Sequence, residues 1–400
     1  MSGGNLCLRM LPALSRLLHH VPARIIALAT LREEPNLKGH VPALDAIRGL
    51  AILLVTGYRF WERPLGATLP SDPLTHFFSL GFRGVDLFFV LSGFLITGIL
   101  FDAKQKPHFF RNFYVRRTLR IFPLYYAVLA VTLVLLPLAG WSTARLFPEA
   151  HQGQAWLWLY GANVLQSLRG EWCLGSFNHF WSLAVEEHFY LFWPLVIYCC
   201  SRRTAMIACG SVVGIAAVVR TLWLLSGGND VAAETFTLLR MDALAMGGLL
   251  ALAIRGPGGV KALYPWAIAG VIFLAALLLP ISLLHKRLLA IPELLFAAFF
   301  AGVILLALAA AKEGLWGKLW NSPLLRFFGK YSYGMYVFQN LLIPVVATWL
   351  SVEILQQQLD SLVLAKLAYL TLMSALTVAA AVASWHFFEK HVLKLKSWFE

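Results

Sequence analysis

Polar residues in this chain are gathered into short clusters that separate long apolar runs. Runs long enough to cross a hydrocarbon core of about 30 Å lie near residues 44–61, 82–101, 119–139, 178–200, 204–225, 239–254, 263–284, 288–311, 331–350 and 362–388. They predict an all-α integral membrane protein of about ten transmembrane helices. A shorter apolar piece at 154–168 decides the topology. Were it to span, Ser201-Arg202-Arg203 would fall outside and the later basic loops would be inverted, against the positive-inside rule. It is therefore read as re-entrant or interfacial. With both the N- and C-termini cytoplasmic, about 22 Lys and Arg lie in cytoplasmic segments and about 7 in outer ones.

Composition sharpens this reading. Of 400 residues 59% are hydrophobic and 13% charged, with a mean hydropathy of +0.71, against about 25% charged in soluble domains. Too little polar surface is left for a soluble globule. One membrane domain over 41–400 is expected, preceded by a cytoplasmic segment 1–40 that is either an amphipathic surface helix or an unordered extension. The net charge of +13 sits in clusters between apolar runs, so it marks topology and not a nucleic-acid partner. Cys7, Cys173, Cys199, Cys200 and Cys209 show no metal-binding spacing, and no metal is expected.

Ionisable groups inside apolar spans cost a few kcal/mol each on insertion scales, which makes each a candidate for function. Arg48, beside Asp45, and Arg59 lie about three turns apart on nearly one helix face. Snorkelling to the interface is the structural alternative for both. A second stretch, 84–96, carries Asp86, Ser92 and Gly93. There Asp86 needs a partner such as Arg83 or a residue of another span, and a purely structural ion pair would suffice. The third stretch holds His179, the adjacent Glu186 and Glu187, His188 and Tyr190. A carboxylate desolvated there could handle protons. The nine-residue spacing of the two histidines does not suit a metal pair. The fourth is the basic run with Arg111, Arg116, Arg117 and Arg120, whose guanidinium groups suit phosphates of a nucleotide-bearing donor. Lipid headgroup contact is its plainer reading.

Together these stretches resemble the acyltransferase-3 family of membrane O-acyltransferases. The resemblance rests on LDAIRGLAILLV at 44–55, GVDLFFVLSGFLITGIL at 84–100, FYVRRTLRIFPLYY at 113–126 and HFWSLAVEEHFYLFWPL at 179–195. It continues in RMDALAMGGLLAL at 240–252, GKYSYGMYVFQNLL at 329–342 and FFEKHVLKLK at 387–396. It implies a multi-pass protein of the bacterial inner membrane that moves an acyl group, acetyl being expected, from acyl-CoA to a hydroxyl of a carbohydrate or other envelope molecule. Arg48, Arg116, Arg117 and Arg120 would hold the donor. Asp86, Ser92, His179 and Tyr190 would face the acceptor.

The chain departs from the family pattern at two places. A histidine is expected after the ten residues that follow Arg48, and Arg59 stands there; a second is expected in the SYGxYxxH motif, and Gln339 stands there. Arginine stays protonated and glutamine does not titrate, so neither accepts a proton near neutrality. Three readings follow. The base has moved to Glu186, Glu187, His179 or His188; or Arg59 and Gln339 orient an oxyanion or carbonyl in a changed reaction; or the chain is an inactive relative that binds or transports. For an acyltransferase, Arg59, Gln339, Glu186 and Glu187 are assigned to the reaction centre, with Glu187 as the proton handler.

Overall fold

The computed structural model describes Pro35 and residues 39–62, 73–283, 291–310 and 314–399. The expectation for segment 1–40 lies almost wholly outside the described residues. All regular structure among the described residues is helical. The long helices, numbered in chain order, are α1 (Pro42–Glu62), α2 (Gly84–Ala103), α3 (Phe109–Ala130), α4 (Phe180–Cys199) and α5 (Arg202–Leu225). They continue with α6 (Thr237–Ala253), α7 (Gly259–Leu283), α8 (Ile291–Leu308), α9 (Pro323–Phe338) and α10 (Leu362–Ser384). Local chemistry sets several of their starts. Ser201 and Ser361 cap α5 and α10 by accepting from the amides of Thr204 and Leu364, and Pro323 opens α9 where its missing N–H costs nothing.

Two helix crossings make the centre of the bundle, and both are built on glycine. A Cβ on Gly93 of α2 would lie 1.8 Å from the Leu244 carbonyl of α6, and one on Gly247 of α6 would lie 1.9 Å from the Val90 carbonyl of α2. The crossing of α1 and α9 repeats the device. There Gly49 faces the Leu325 carbonyl and Gly329 the Asp45 carbonyl, each at 1.9 Å from the notional Cβ. Backbones this close are reached only where no side chain intervenes, as in small-residue packing within membranes. The second crossing brings Arg48 next to α9.

Among the described residues, six helices are long and apolar enough to cross a membrane: Leu74–Ala103, Phe109–Leu138, Arg202–Leu225, Asp230–Ala253, Gly259–Pro280 and Leu362–Phe399. These include α2, α3, α5, α6, α7 and α10 with their continuations. By that measure α1, α4, α8 and α9 fall short of the ten expected. α8 is a shorter apolar helix and α9 has 16 residues. α1 and α4 are long, but Asp45, Arg48 and Arg59 in one and Glu186-Glu187-His188 in the other lower their mean hydropathy. α7 leaves Trp266, Ile272 and Phe273 exposed, and α5 does the same with Ile207, Ile215 and Leu222, the surface expected of lipid-facing helices.

The apolar piece 154–168 does not form one long helix. It breaks into Gln154–Trp158 and Ala162–Arg169, each far shorter than the roughly 20 residues a span requires. These belong to a set of short helices that caps one end of α3. Tyr125 and Tyr126 of α3 donate to the carbonyls of Leu157 and Trp158 at 2.7 and 3.1 Å.

Candidate functional site

A cavity of about 340 Å³ opens between α1, α2, α3, α4 and α9. Arg48, Ser92, Arg117, Arg120, Glu186, Ser182, Tyr333 and Tyr336 line it, together with Lys396 from the C-terminal turn that follows α10. A larger cavity of about 1470 Å³ shares Arg117, Arg120, Lys396, Leu95, Ile96 and Ile99 with the first and adds Arg116 and Arg255. The two linings together carry the cations Arg48, Lys106, Arg116, Arg117, Arg120, Arg255 and Lys396 against the carboxylates Asp102 and Glu186. Arg255 and Asp102 cancel in a two-pronged pair at 2.6 and 2.8 Å. The remainder is strongly cationic, a setting that favours a multiply charged anion.

Arg48 is held by Asp45, whose Oδ1 accepts from its Nη1 at 2.7 Å. The other carboxylate oxygen of Asp45 meets His40 at 2.5 Å. Arg117 sits at the junction of the cationic lining and the carboxylates. Its Nη2 is 3.7 Å from Glu186 Oε2, its Nε is 3.8 Å from Glu187 Oε1, and its guanidinium lies 4.0 Å over the Tyr190 ring. Those separations are too long for hydrogen bonds. Arg117 Nε and Glu187 Oε1 are both buried with no hydrogen-bond partner among the described residues. Tyr190 hydrogen-bonds to Ser92 across α2 and α4, which fixes the hydroxyl that faces the cavity.

Beyond Tyr336 lies a set of buried polar groups. Tyr336 meets Ser182 at 2.5 Å and donates to the His179 carbonyl at 2.9 Å, while His179 Nε2 bonds to the Val337 carbonyl at 3.2 Å. Thr56 donates to Gln339 Oε1 at 3.4 Å. Gln339 Nε2 and Arg59 Nε, both buried, have no hydrogen-bond partner among the described residues. Arg59 lies within electrostatic reach of the Tyr336 hydroxyl.

The residues singled out from the sequence therefore fall into three groups. Arg48, Ser92, Arg117, Arg120 and Glu186 line one cavity, and Arg116 lines its extension. Glu187 and Tyr190 touch residues of that lining without being part of it, and Arg59, His179 and Gln339 lie past Tyr336. Asp86 stands apart. It is buried between Arg240 of α6 and Arg83, the latter at 3.2 Å, and Arg83 in turn lies 3.6 Å from Glu293. Arg220 and Asp242 pair at 2.8 Å beside them. Asp86 is thus the centre of an ion-pair staple and does not line either cavity.

Tyr333, Tyr336 and Lys396, which line the first cavity, escaped sequence reasoning as site residues. Tyr160 closes the short helix Gln154–Trp158 in a left-handed conformation, φ 55°. The amides of Tyr160 and Gly161 bond back to the carbonyls of Leu157 and Trp156, the Schellman pattern that usually takes glycine at that position. Among the described residues, the other non-glycine residues at positive φ are His108 and Asp360, types that tolerate it better than a bulky aromatic.

The family model for an acyltransferase domain matches residues 41–386. The chain belongs to that family. Among curated relatives, the peptidoglycan O-acetyltransferase OatA of Listeria monocytogenes is 28% identical over 341 residues, covering 78% of this chain and 51% of its own length. The putative peptidoglycan O-acetyltransferase YrhL of Bacillus subtilis is 27% identical over 384 residues, 88% of this chain and 55% of its own. A putative O-acetyltransferase of Staphylococcus aureus is 25% identical over 337 residues, covering 78% and 52%. The chain spans about half the length of the curated relatives it matches. No solved structure matches. The matched family region contains every site residue described above except Lys396 and His40.

Proposed function

We propose that this chain is a multi-pass membrane acyltransferase that takes an acyl group, in the first instance acetyl, from acyl-CoA and passes it to a hydroxyl of an envelope carbohydrate. The observation that carries the reading is the cationic double cavity, which leads to a carboxylate pair through Arg117. Family membership and the names of the peptidoglycan O-acetyltransferase relatives support the class of acceptor. We infer ten spans with both termini cytoplasmic in a bacterial inner membrane. That orientation puts Arg48, Arg116, Arg117, Arg120 and Lys396 on the cytoplasmic side, where acyl-CoA is found.

In this reading the arginines hold the donor phosphates and the thioester lies toward Arg117. The acceptor oxygen attacks the thioester carbonyl carbon, a new C–O bond forms and the C–S bond breaks. Glu187, carrying a buried oxygen with no hydrogen-bond partner, takes the acceptor proton and returns it to the departing thiolate sulfur. The base thus resides on α4, while Arg59 and Gln339 bind and orient. Purified protein given labelled acetyl-CoA and peptidoglycan fragments is expected to release CoA and label the glycan. Failure to bind the donor and to turn it over would refute the reading.

The alternative reading, an inactive relative that binds or transports, draws on Arg59 and Gln339 standing where the family pattern has titratable groups. It predicts donor or glycan binding with no transfer. Arg59→His with Gln339→His would then create activity from nothing.

A further inference from the structure

Three buried polar atoms near the carboxylate pair share a deficiency: Arg117 Nε, Glu187 Oε1 and the Tyr160 hydroxyl each have no hydrogen-bond partner among the described residues. Buried polar groups are paired in the great majority of cases, so a cluster of exceptions calls for an explanation. Their chemistry is complementary. Two are donors and one is an acceptor.

Tyr160 reaches this position at a conformational cost, since its backbone adopts the left-handed form at a place that glycine would take freely. Stacking and a neighbouring histidine hold it there. Its ring stacks on Tyr125 at 4.1 Å and on Phe122 at 5.2 Å. His188, next to Glu187, hydrogen-bonds to the Tyr160 backbone and to Thr237 at 2.8 Å. The hydroxyl so placed lies within electrostatic reach of Glu187 and of Tyr333, which lines the cavity. A strained residue whose only functional atom is left unbonded is a mark of a binding position.

We propose that the Tyr160 hydroxyl donates a hydrogen bond to the oxygen of the acceptor hydroxyl, whose own proton is aimed at Glu187 Oε1; this assignment rests on the acyl-transfer reading above. One ligand hydroxyl then satisfies both atoms, giving to the carboxylate and receiving from the phenol. Arg117 Nε is left to donate to the thioester carbonyl oxygen, where negative charge develops as the acceptor attacks. The short-helix cap is in this way part of the acceptor site, and the class of ligand it takes is a carbohydrate hydroxyl.

Tyr160→Phe tests this in the full-length protein in detergent, because it keeps the stacked ring and removes only the hydroxyl. Calorimetric titration with the peptidoglycan disaccharide of N-acetylglucosamine and N-acetylmuramic acid should give a Kd raised at least fivefold, with the acceptor KM raised in step. Kd for CoA and the thermal midpoint should stay within twofold and about 1 °C respectively, since hydrogen bonds of this kind bear on one ligand and not on the fold. Unchanged disaccharide binding in the variant, or no disaccharide binding by the unaltered protein, overturns the proposal. If the unaltered protein binds the disaccharide in a Tyr160-dependent way and does not bind CoA, the acceptor assignment stands and the donor reading falls.

Discussion

The chemistry turns on where a proton can go. Arg59 and Gln339 occupy the places where the family pattern leads one to expect histidine, and the carboxylates that Arg117 faces at the cationic cavity are Glu186 and Glu187 on α4. A general base contributes about 10² to 10⁴ in rate. Glu187→Gln should accordingly lower kcat by at least about a hundredfold while acetyl-CoA still binds, a split that equilibrium binding and steady-state kinetics resolve together. A Glu187→Gln protein that retains kcat would move the base elsewhere. Arg48 poses the donor half of the question. Its guanidinium is anchored by Asp45 at 2.7 Å and faces the cavity, so Arg48→Ala should weaken CoA binding about tenfold or more, the order expected for a lost charge-assisted hydrogen bond. A dephospho analogue of CoA would show a smaller loss if Arg48 contacts the phosphate that is missing. Most of this was legible in the sequence, because an ionisable residue in an apolar run is expensive and announces itself. Tyr160 was not. An aromatic residue in an apolar stretch is unremarkable until the backbone shows it in a conformation that suits glycine.

At the scale of the helices, the same polar residues that make the site disguise the elements that carry it. α1 and α4 lie outside the six helices that pass as membrane-crossing by length and composition, because their charges face inward and cannot be discounted from hydropathy alone. Asp86 illustrates the opposite limit. The sequence marks it as a charge needing a partner, but Arg240 stands 154 residues away, and only the packing of α2 on α6 reveals the pair. The two helices are also locked by Gly93 and Gly247, whose Cβ positions are filled by the partner backbone. Gly93→Ala should therefore cost about 1–3 kcal/mol or block folding, as overpacking does, and would appear as a lower thermal midpoint in detergent. Asp86→Ala should cost more, about 3–5 kcal/mol, because it removes the carboxylate between Arg240 and Arg83 and leaves the buried Arg240 without its partner. Asp86→Ala combined with Arg240→Ala should cost less than the two single changes added, and simple additivity in a double-mutant cycle would argue against the staple.

For the whole molecule the decisive question is which side of the membrane the cationic cavity opens to. The basic clusters at 104–117, 202–203, 255–261 and 390–396 share one side if the positive-inside rule holds, and Lys396 links that rule to the site because it lines both cavities. A cysteine introduced as Lys396→Cys, in a protein whose five native cysteines are replaced, gives each question its own readout. A membrane-impermeant maleimide should label it in inverted inner-membrane vesicles and not in intact cells. Labelling from the outside would reverse the orientation and remove acyl-CoA from reach of the arginines. Acetyl-CoA present during the reaction should slow labelling, since its phosphates and the probe would compete for the junction of the two cavities. Salt supplies the internal control. Charge-dependent protection weakens as ionic strength rises and the Debye length falls from about 10 Å at 0.1 M to about 3 Å at 1 M, whereas protection by burial of an apolar acyl chain does not. Protection that is lost at high salt would locate the phosphates at Arg117 and Arg120, beside position 396; protection that persists would place the acyl chain there and leave the phosphates to Arg116 and the larger cavity.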